Sequence, residues 1–354
     1  MKPVFHVITT INRGGAENQL QILAREQVKL GLEVHIIYLK GEPELQSEFI
    51  QMGTKVHHSV ARLHPIFQPL ALLKLIGRSN PIIHAHLPRA ELISLLTPTR
   101  FTFITSRHNA EAFFPGAPRS VSNFLSRIVE LRSTKIIAIS NAVKEYLVDQ
   151  GEISNPDKTE VVLYGYKPSR DRVARNLKAP KSLLRFGTIA RLTEQKDIPT
   201  LLRAFQIIRK EIPEASLNIV GSGSLEMDLK ELCNILALEP SVHFLGRTSK
   251  VMDYLAGLDA FILTSTYEGF GMVLLEAMDA GVPIVASRNS AIPEVLGADF
   301  PGLCETGNYE EFARIILNLK NAEFRGRILH LQESRLTLFD AEIMARKVSE
   351  IYLS

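Results

Sequence analysis

The sequence predicts an α/β protein built from two doubly wound parallel-sheet domains, and three observations lead there. Short β-branched runs alternate with amphipathic stretches along the whole chain. The runs are apolar at consecutive positions, as in strands of a parallel sheet covered on both faces by helices. The chain has 354 residues, whereas single hydrophobic cores stop growing near ~250–300 residues, so two domains are expected.

In the first half the strand-like runs are 4–10 (VFHVITT), 33–39, 82–86 (IIHAH), 101–106, 135–140 and 161–164. Between the first two lies a helix-like stretch in which Leu20, Leu23, Gln27 and Leu30 fall three or four apart, ended by Gly31. After Val161 the pattern lapses into a polar, proline-bounded stretch, so 166–180 reads as a linker. The alternation restarts at 183–190, 216–221, 242–246, 260–265 and 283–287. The expected organisation is a Rossmann-like domain over 1–165 and a second over 181–339, facing each other across a cleft. The closing segment places Ile343, Met344 or Ala345, Val348 and Ile351 on one side of a helix. Residues 340–354 are therefore expected to cross back onto the first domain.

Composition narrows the function classes. An apolar share of 45% and a charged share of 22% exclude disorder and a membrane-embedded body. The opening apolar run turns polar at Asn12, too short for a signal peptide, and no run reaches the ~18–20 apolar residues of a spanning helix. Cys233 and Cys304 sit in apolar runs without a zinc or disulfide spacing, so a reducing cytoplasm is expected. A net charge of +3 is too small for nucleic-acid binding. The charge is uneven: residues 58–135 hold ten Lys or Arg against Glu91, Glu111 and Glu130. That half should face something anionic. Arg62, Lys74 and Arg78 bracket IFQPLALLKLIG, which fits an interfacial segment on an anionic inner membrane face; the competing reading packs Leu70, Leu73 and Ile76 inside the domain.

Open parallel sheets bind ligands beyond the carboxyl ends of their strands, which singles out four loops. After the opening strand, Gly14 and Gly15 let backbone approach a phosphate at a helix start. After 183–190 come Arg191 and Lys196, a planar fork and a point charge suited to one diphosphate; Asp197 can cap and Pro199 open the helix that follows. After 260–265, Glu268, Gly269, Phe270, Gly271 and Met272 lead into a helix whose Glu276 can accept two hydroxyl hydrogen bonds from a ribose. After 101–106, His108 follows Arg107, with His84 and His86 ending a neighbouring strand.

Together these residues resemble the glycosyltransferase family 4 group. The Glu268-to-Glu276 run matches its Glu-x7-Glu signature, and Ala190-Arg191-Leu192-x3-Lys196 is similar to its Gly-Arg-Leu-x3-Lys segment. Gly-Gly-Ala-Glu at 14–17, Ser140 to Val143, Phe244 to Gly246 and Ile292 to Val295 fall in family order. The chain departs from the family at Tyr164-Gly165-Tyr166-Lys167, where Asn-Gly-x-Asp is common. The resemblance implies the two-domain GT-B fold and retention of anomeric configuration. It also implies that Glu276 holds the donor ribose, Arg191 and Lys196 the diphosphate, and Gly14 and Gly15 its approach. By the same likeness Glu268, with the backbone at Gly269 to Met272, holds the donor sugar, and His108 contacts sugar or phosphate. Gly221 and Gly223 would flank the nucleotide, with Phe244 and Gly246 near its base.

The expectation is a retaining, hexosyltransferase-type enzyme using a nucleotide-sugar donor. Its acceptor is a saccharide or lipid-linked saccharide, as in polysaccharide or glycoconjugate synthesis. No Asp-x-Asp occurs in the chain, so protein cations are expected to stand where a metal would, with no cofactor. A glycosidase, a nucleotide-sugar epimerase and a non-catalytic sugar-nucleotide binder are the competing readings.

Overall fold

The computed structural model describes residues 2–77, 80–98, 100–168 and 184–353. Two compact units are present, Met1–Lys167 with Phe339–Ser354, and Pro168–Leu338. Most of the expected linker, residues 169–180, lies outside the described residues, as does Arg78.

The first unit runs β1 (Val4–Ile8), α1 (Gly15–Lys29), β2 (Val34–Tyr38), α2 (Gln46–Gln51), β3 (Lys55–His57), α3 (Gln68–Ile76) and β4 (Ile82–His86). It continues with α4 (Pro88–Ser94), β5 (Thr102–Arg107), α5 (Arg119–Arg132), β6 (Lys135–Ala138), α6 (Asn141–Asp149) and β7 (Thr159–Val161). Its seven strands are ordered β3-β2-β1-β4-β5-β6-β7, and all pairs are parallel. Helices α3, α4 and α5 lie side by side and cover one face through Leu72, Ile76, Ala90, Ile93 and Val129.

The second unit runs β8 (Arg185–Ile189), α7 (Ile198–Glu211), β9 (Ser216–Val220), α8 (Glu226–Ile235), β10 (Val242–Gly246) and α9 (Val251–Ala256). Then follow β11 (Ala260–Leu263), α10 (Met272–Asp279), β12 (Ile284–Ser287), α11 (Ile292–Leu296), β13 (Leu303–Cys304), α12 (Tyr309–Asn318) and α13 (Ala322–Leu336). Its parallel sheet is ordered β10-β9-β8-β11-β12-β13. In both sheets the order reverses beside the first strand, between β1 and β4 and between β8 and β11. Such a reversal parts the flanking helices and opens a crevice at the strand ends.

The last helix, α14 (Ala341–Ile351), belongs to the first unit. Met344, Ala345, Val348 and Ile351 pack with Val4, Ile82, Ile104 and Ile137. Ile343, expected on the buried side, is half exposed instead, and Ala341 takes the buried place. The strand expected at 161–164 lies earlier, at Thr159–Val161. The departing residues explain the shift. Tyr164 turns its hydroxyl to His108, Gly165 donates its N–H to Met344 Sδ (2.9 Å) and accepts from Gln19 Nε2 (2.9 Å), and Tyr166 N–H reaches Phe339 O (2.7 Å). The junction is thus bound to α1 and α14 rather than extended along the sheet.

Candidate functional site

In the second unit the loops after β8 and β11, the two strands at the reversal, are sewn together. Gln195 O accepts from Thr266 N (2.8 Å) and Oγ1 (3.1 Å), and Gln195 Nε2 donates to Tyr267 O (3.0 Å). Lys196 O accepts from Thr264 Oγ1 (3.0 Å). This stitching brings Lys196 Nζ to Glu268 Oε1 at 2.6 Å, with Ser265 Oγ donating to the same oxygen at 2.7 Å. Both partners are largely buried, so the pair is shielded from solvent screening. An ammonium has three donors and a carboxylate has spare lone pairs, so each keeps capacity after this bond is made.

Two strained residues support the pair. Asp197, directly after Lys196, has φ +43° and accepts from Thr200 N, capping α7, with Pro199 in the first turn. Ser290, after β12, has φ +44°; its Oγ accepts from Glu268 N (2.7 Å) and donates to Glu268 O (2.9 Å). Left-handed backbone at non-glycine residues costs of order 1–3 kcal/mol and persists where surrounding contacts impose it. Arg191 is exposed at the mouth of the same loop, with Nη2 on Gln195 Oε1 at 3.3 Å.

Helix α10 opens one residue after Gly271, which has φ +88° and no side chain to cap the first-turn amides. Phe270 is buried, so only its backbone can serve a ligand. Glu276, about one turn into α10, is partly buried. Its carboxyl makes no hydrogen bond or ion pair among the described residues, and burial raises its pKa to about 7. On the neighbouring strand end, a Cβ on Gly221 would lie 1.8 Å from Ala190 O, and one on Gly223 would lie 2.2 Å from Leu192 O. These glycines therefore let the β9 loop press against the β8 loop. Gly221 N–H donates to Gly246 O (2.8 Å), Arg247 Nε reaches Ser222 Oγ (2.9 Å), and Phe244 is half-buried under Lys230.

The first unit treats its strand ends differently. Gly14 caps α1 in extended backbone, tight against Glu17, whose Oε1 accepts from Thr10 Oγ1 (2.6 Å); a Cβ on Gly15 would meet open space. Arg13 is turned aside to Glu48 (2.7 Å). His108, expected at an open strand end, is buried and both its ring nitrogens are engaged. A chain runs from Tyr164 OH to His108, His86 Nε2 to His6 Nδ1 (2.9 Å), His6 Nε2 to Gln27 Oε1 (2.8 Å), and Gln27 Nε2 to Tyr352 OH (3.0 Å). His84 joins it between Tyr352 OH and Ser106 Oγ, both at 2.7 Å. Burial lowers the pKa of His108 to about 3 and of His6 to about 4, so all are neutral near pH 7. His6, His84 and His86 bring ring nitrogens within 4.8 Å of one another, but these nitrogens are spent on the hydrogen-bond chain. A cavity of about 30 Å³ borders His86, Ser106, His108 and Tyr164. Arg107 is also sealed, between Glu91 (3.0 Å) and Glu152 (3.4 Å).

Ser265, Ser290 and Gln195, which aim the ion pair, and His6 and Gln27, which hold His86 in line with His108, are not singled out by the sequence. A signal existed for His6, a polar residue inside the apolar run VFHVI. None existed for Ser290, whose partner is 22 residues away.

Two doubly wound parallel sheets, one with an ammonium–carboxylate pair and a helix started at a glycine beside its reversal, are an arrangement whose strand ends suit phosphorylated ligands. Residues 13–170 match the family model described as Glycosyltransferase Family 4, and 169–329 match Glycosyl transferases group 1. The chain belongs to the family 4-like glycosyltransferases of the GT-B fold. It is 27% identical to N-acetyl-alpha-D-glucosaminyl L-malate synthase of Bacillus anthracis, over 93% of this chain and 91% of that protein. It is 23% identical to the capsular polysaccharide biosynthesis glycosyltransferase CapH of Staphylococcus aureus, over 100% and 99% of the two chains. Among solved structures it is similar to Anabaena HepE in complex with UDP and glucose, with a TM-score of 0.82, 20% identity and full coverage of both chains.

Proposed function

We propose that this glycosyltransferase takes a hexose from a UDP-sugar and transfers it, with retention of configuration, to a saccharide or lipid-linked saccharide in cell-surface polysaccharide or glycoconjugate synthesis. The observation that carries the reading is Glu276, a largely buried carboxyl without a partner among the described residues, suited to accept the two hydroxyls of a ribose. Lys196 keeps two donors for diphosphate oxygens, Arg191 adds a fork at the loop mouth, and the start of α10 adds partial positive charge. Glu268 Oε2 is left to accept from sugar hydroxyls. Gly221, Gly223, Phe244 and Gly246 flank the nucleoside. Gly14 and Gly15 give the first unit a second helix start suited to anions.

As the bond between the anomeric carbon and the phosphate oxygen breaks, negative charge grows on the diphosphate, and fixed cations lower that barrier. The acceptor oxygen bonds to the same carbon face, and its proton goes to the departing phosphate. No resident metal or cofactor takes part in this scheme. The HepE complex and the capsular relative support the donor and pathway class.

A thermal-shift and hydrolysis screen over UDP-, GDP-, ADP- and dTDP-sugars tests the proposal. The largest shift is expected with UDP-sugars, and no response to any of the four would reject it. An inverted anomeric signal in the product would reject retention, and activity lost to a chelator and restored by a divalent metal would reject metal independence.

A further inference from the structure

The short turn Pro65–Phe67, helix α3 that follows it and helix α5 of the first unit leave apolar side chains in water. Ile66, Phe67 and Leu70 are 73%, 58% and 69% exposed, with Leu63 beside them in sequence. Of Leu70, Leu73 and Ile76, expected to pack inside the domain, Ile76 does so beside Leu72, Leu73 is partly buried and Leu70 is left in solvent. On α5, Val121, Phe124 and Leu131 point outward, Leu131 with 76% exposure, while Ser122, Ser126, Val129 and Glu130 form the buried side. Val129 and Leu125 pack inward as on an ordinary surface helix, but three further apolar side chains stay outside its buried stripe.

The charges around these residues are one-sided. Arg62, Lys74, Arg100, Arg119 and Arg127 are exposed. The acids of the same stretch are withdrawn: Glu91 is fully buried against Arg107, and Glu130 is buried accepting from Ser154 N (2.8 Å) and Asn155 N (2.6 Å). Only Glu111 stays partly exposed. At the surface the balance is therefore more one-sided than in the residue count, five exposed cations against one partly exposed acid. Because α4 touches both α3 and α5, the two outward faces flank one short helix and belong to one side of the unit.

We infer that the outer side of α3 and α5 docks on an anionic lipid bilayer, with Ile66, Phe67 and Leu70 entering the headgroup–acyl boundary and the basic residues meeting lipid phosphates. Side chains of this kind need a non-aqueous medium and anions together, which a bilayer surface offers. A phosphate polymer offers no apolar interior. A second copy fits badly, since a two-fold interface would set Arg62 and Lys74 against the same cations. The inference deepens the proposed function and rests on it for its purpose: an acceptor carried on lipid would meet the enzyme at such a surface.

Vesicle flotation of the full chain tests it, with phosphatidylcholine alone and with added phosphatidylglycerol, at low and high salt. The protein is expected to float with the anionic vesicles at low salt and to be released by salt. Ile66→Ser, Phe67→Ser and Leu70→Ser combined, and separately Arg62→Glu with Lys74→Glu, should each lower partitioning at least tenfold. No flotation with anionic vesicles at low salt overturns the inference. So does flotation that the apolar triple variant leaves unchanged, or lipid-free self-association abolished by that variant while flotation persists. The UDP-sugar thermal shift, read on the same samples, separates the two proposals: a normal shift without flotation sinks only the membrane face, and flotation without a shift sinks only the donor.

Discussion

At the carboxyl end of β5 in the first unit and after β8 in the second, the chain places a guanidinium and a second nitrogen base: Arg107 with His108, and Arg191 with Lys196. The local sequences invite the same reading, and packing treats them in opposite ways. Arg107 and His108 are sealed, one between two glutamates and the other inside a chain of neutral imidazoles. Arg191 stays in solvent, and Lys196 is held by a single carboxylate oxygen. A strand's carboxyl end is thus a place where a site can be built. Whether it is open depends on which groups the rest of the fold brings to it.

The largest effect expected from this contrast is in the sealed half. Arg107→Met leaves Glu91 and Glu152 buried without their cation, and removing one partner of a buried ion pair costs about 3–5 kcal/mol. Denaturant unfolding should show that loss, while UDP-sugar affinity measured well below the midpoint should hold. A clear drop in affinity would mean the sealed cluster serves the ligand after all. Lys196→Ala is the counterpart in the open half. Loss of a transition-state donor costs ~2.7–4 kcal/mol, so turnover measured well below the unfolding midpoint should fall by 10²–10³; Tm should fall as well, because Glu268 is left largely buried without its cation. Near-normal turnover would remove the diphosphate assignment.

His108→Ala should cost about 1–3 kcal/mol of stability, because Tyr164 and His86 lose a buried partner. Turnover at low temperature should change less than tenfold. A larger fall would show that His108 reaches the substrate.

The smallest expected effect comes from Glu276→Gln, and it depends on pH. The native carboxyl titrates near 7, well above the usual 4.5 of an unfolded glutamate. Below 4.5 both states hold the proton, and the group contributes nothing. Between 4.5 and 7 the unfolded chain loses the proton first, so stability declines as pH rises, and above 7 the penalty is complete. The glutamine variant should match wild type at pH 4 and be more stable at pH 8 by about 1–2 kcal/mol, the partial exposure of the site keeping the gain modest. Because a carboxylate accepts ribose hydroxyls better than a carboxylic acid, wild-type donor affinity should rise from pH 6 to 8. The variant's affinity should be flat.

Much of the fold was legible because strand runs carry their own signal. The runs at 82–86 and 242–246 coincide with β4, buried along its whole length, and with β10, whose exposure alternates at the sheet edge. Short strands escaped: Lys55–His57 is half in solvent, and Leu303–Cys304 is too brief to show a pattern. In the site, Lys196, Glu268 and Glu276 were legible because a cation or acid after a strand, or amid Leu274 and Leu275, is a local anomaly. Ser290 was not, since its hydrogen bond to Glu268 exists only once β11 and β12 lie side by side.

By itself the sequence determined the alternation of strands and helices, the return of α14 and the residues offered at each strand end, because hydrophobic periodicity and residue chemistry are local properties. Tertiary structure alone decided which strand ends stay open. Desolvation and hydrogen-bond saturation depend on neighbours distant in sequence, such as Tyr352 beside His84 and Glu152 beside Arg107. The same dependence on distant neighbours turned Glu91 and Glu130 inward and left α3 and α5 apolar and positive outside.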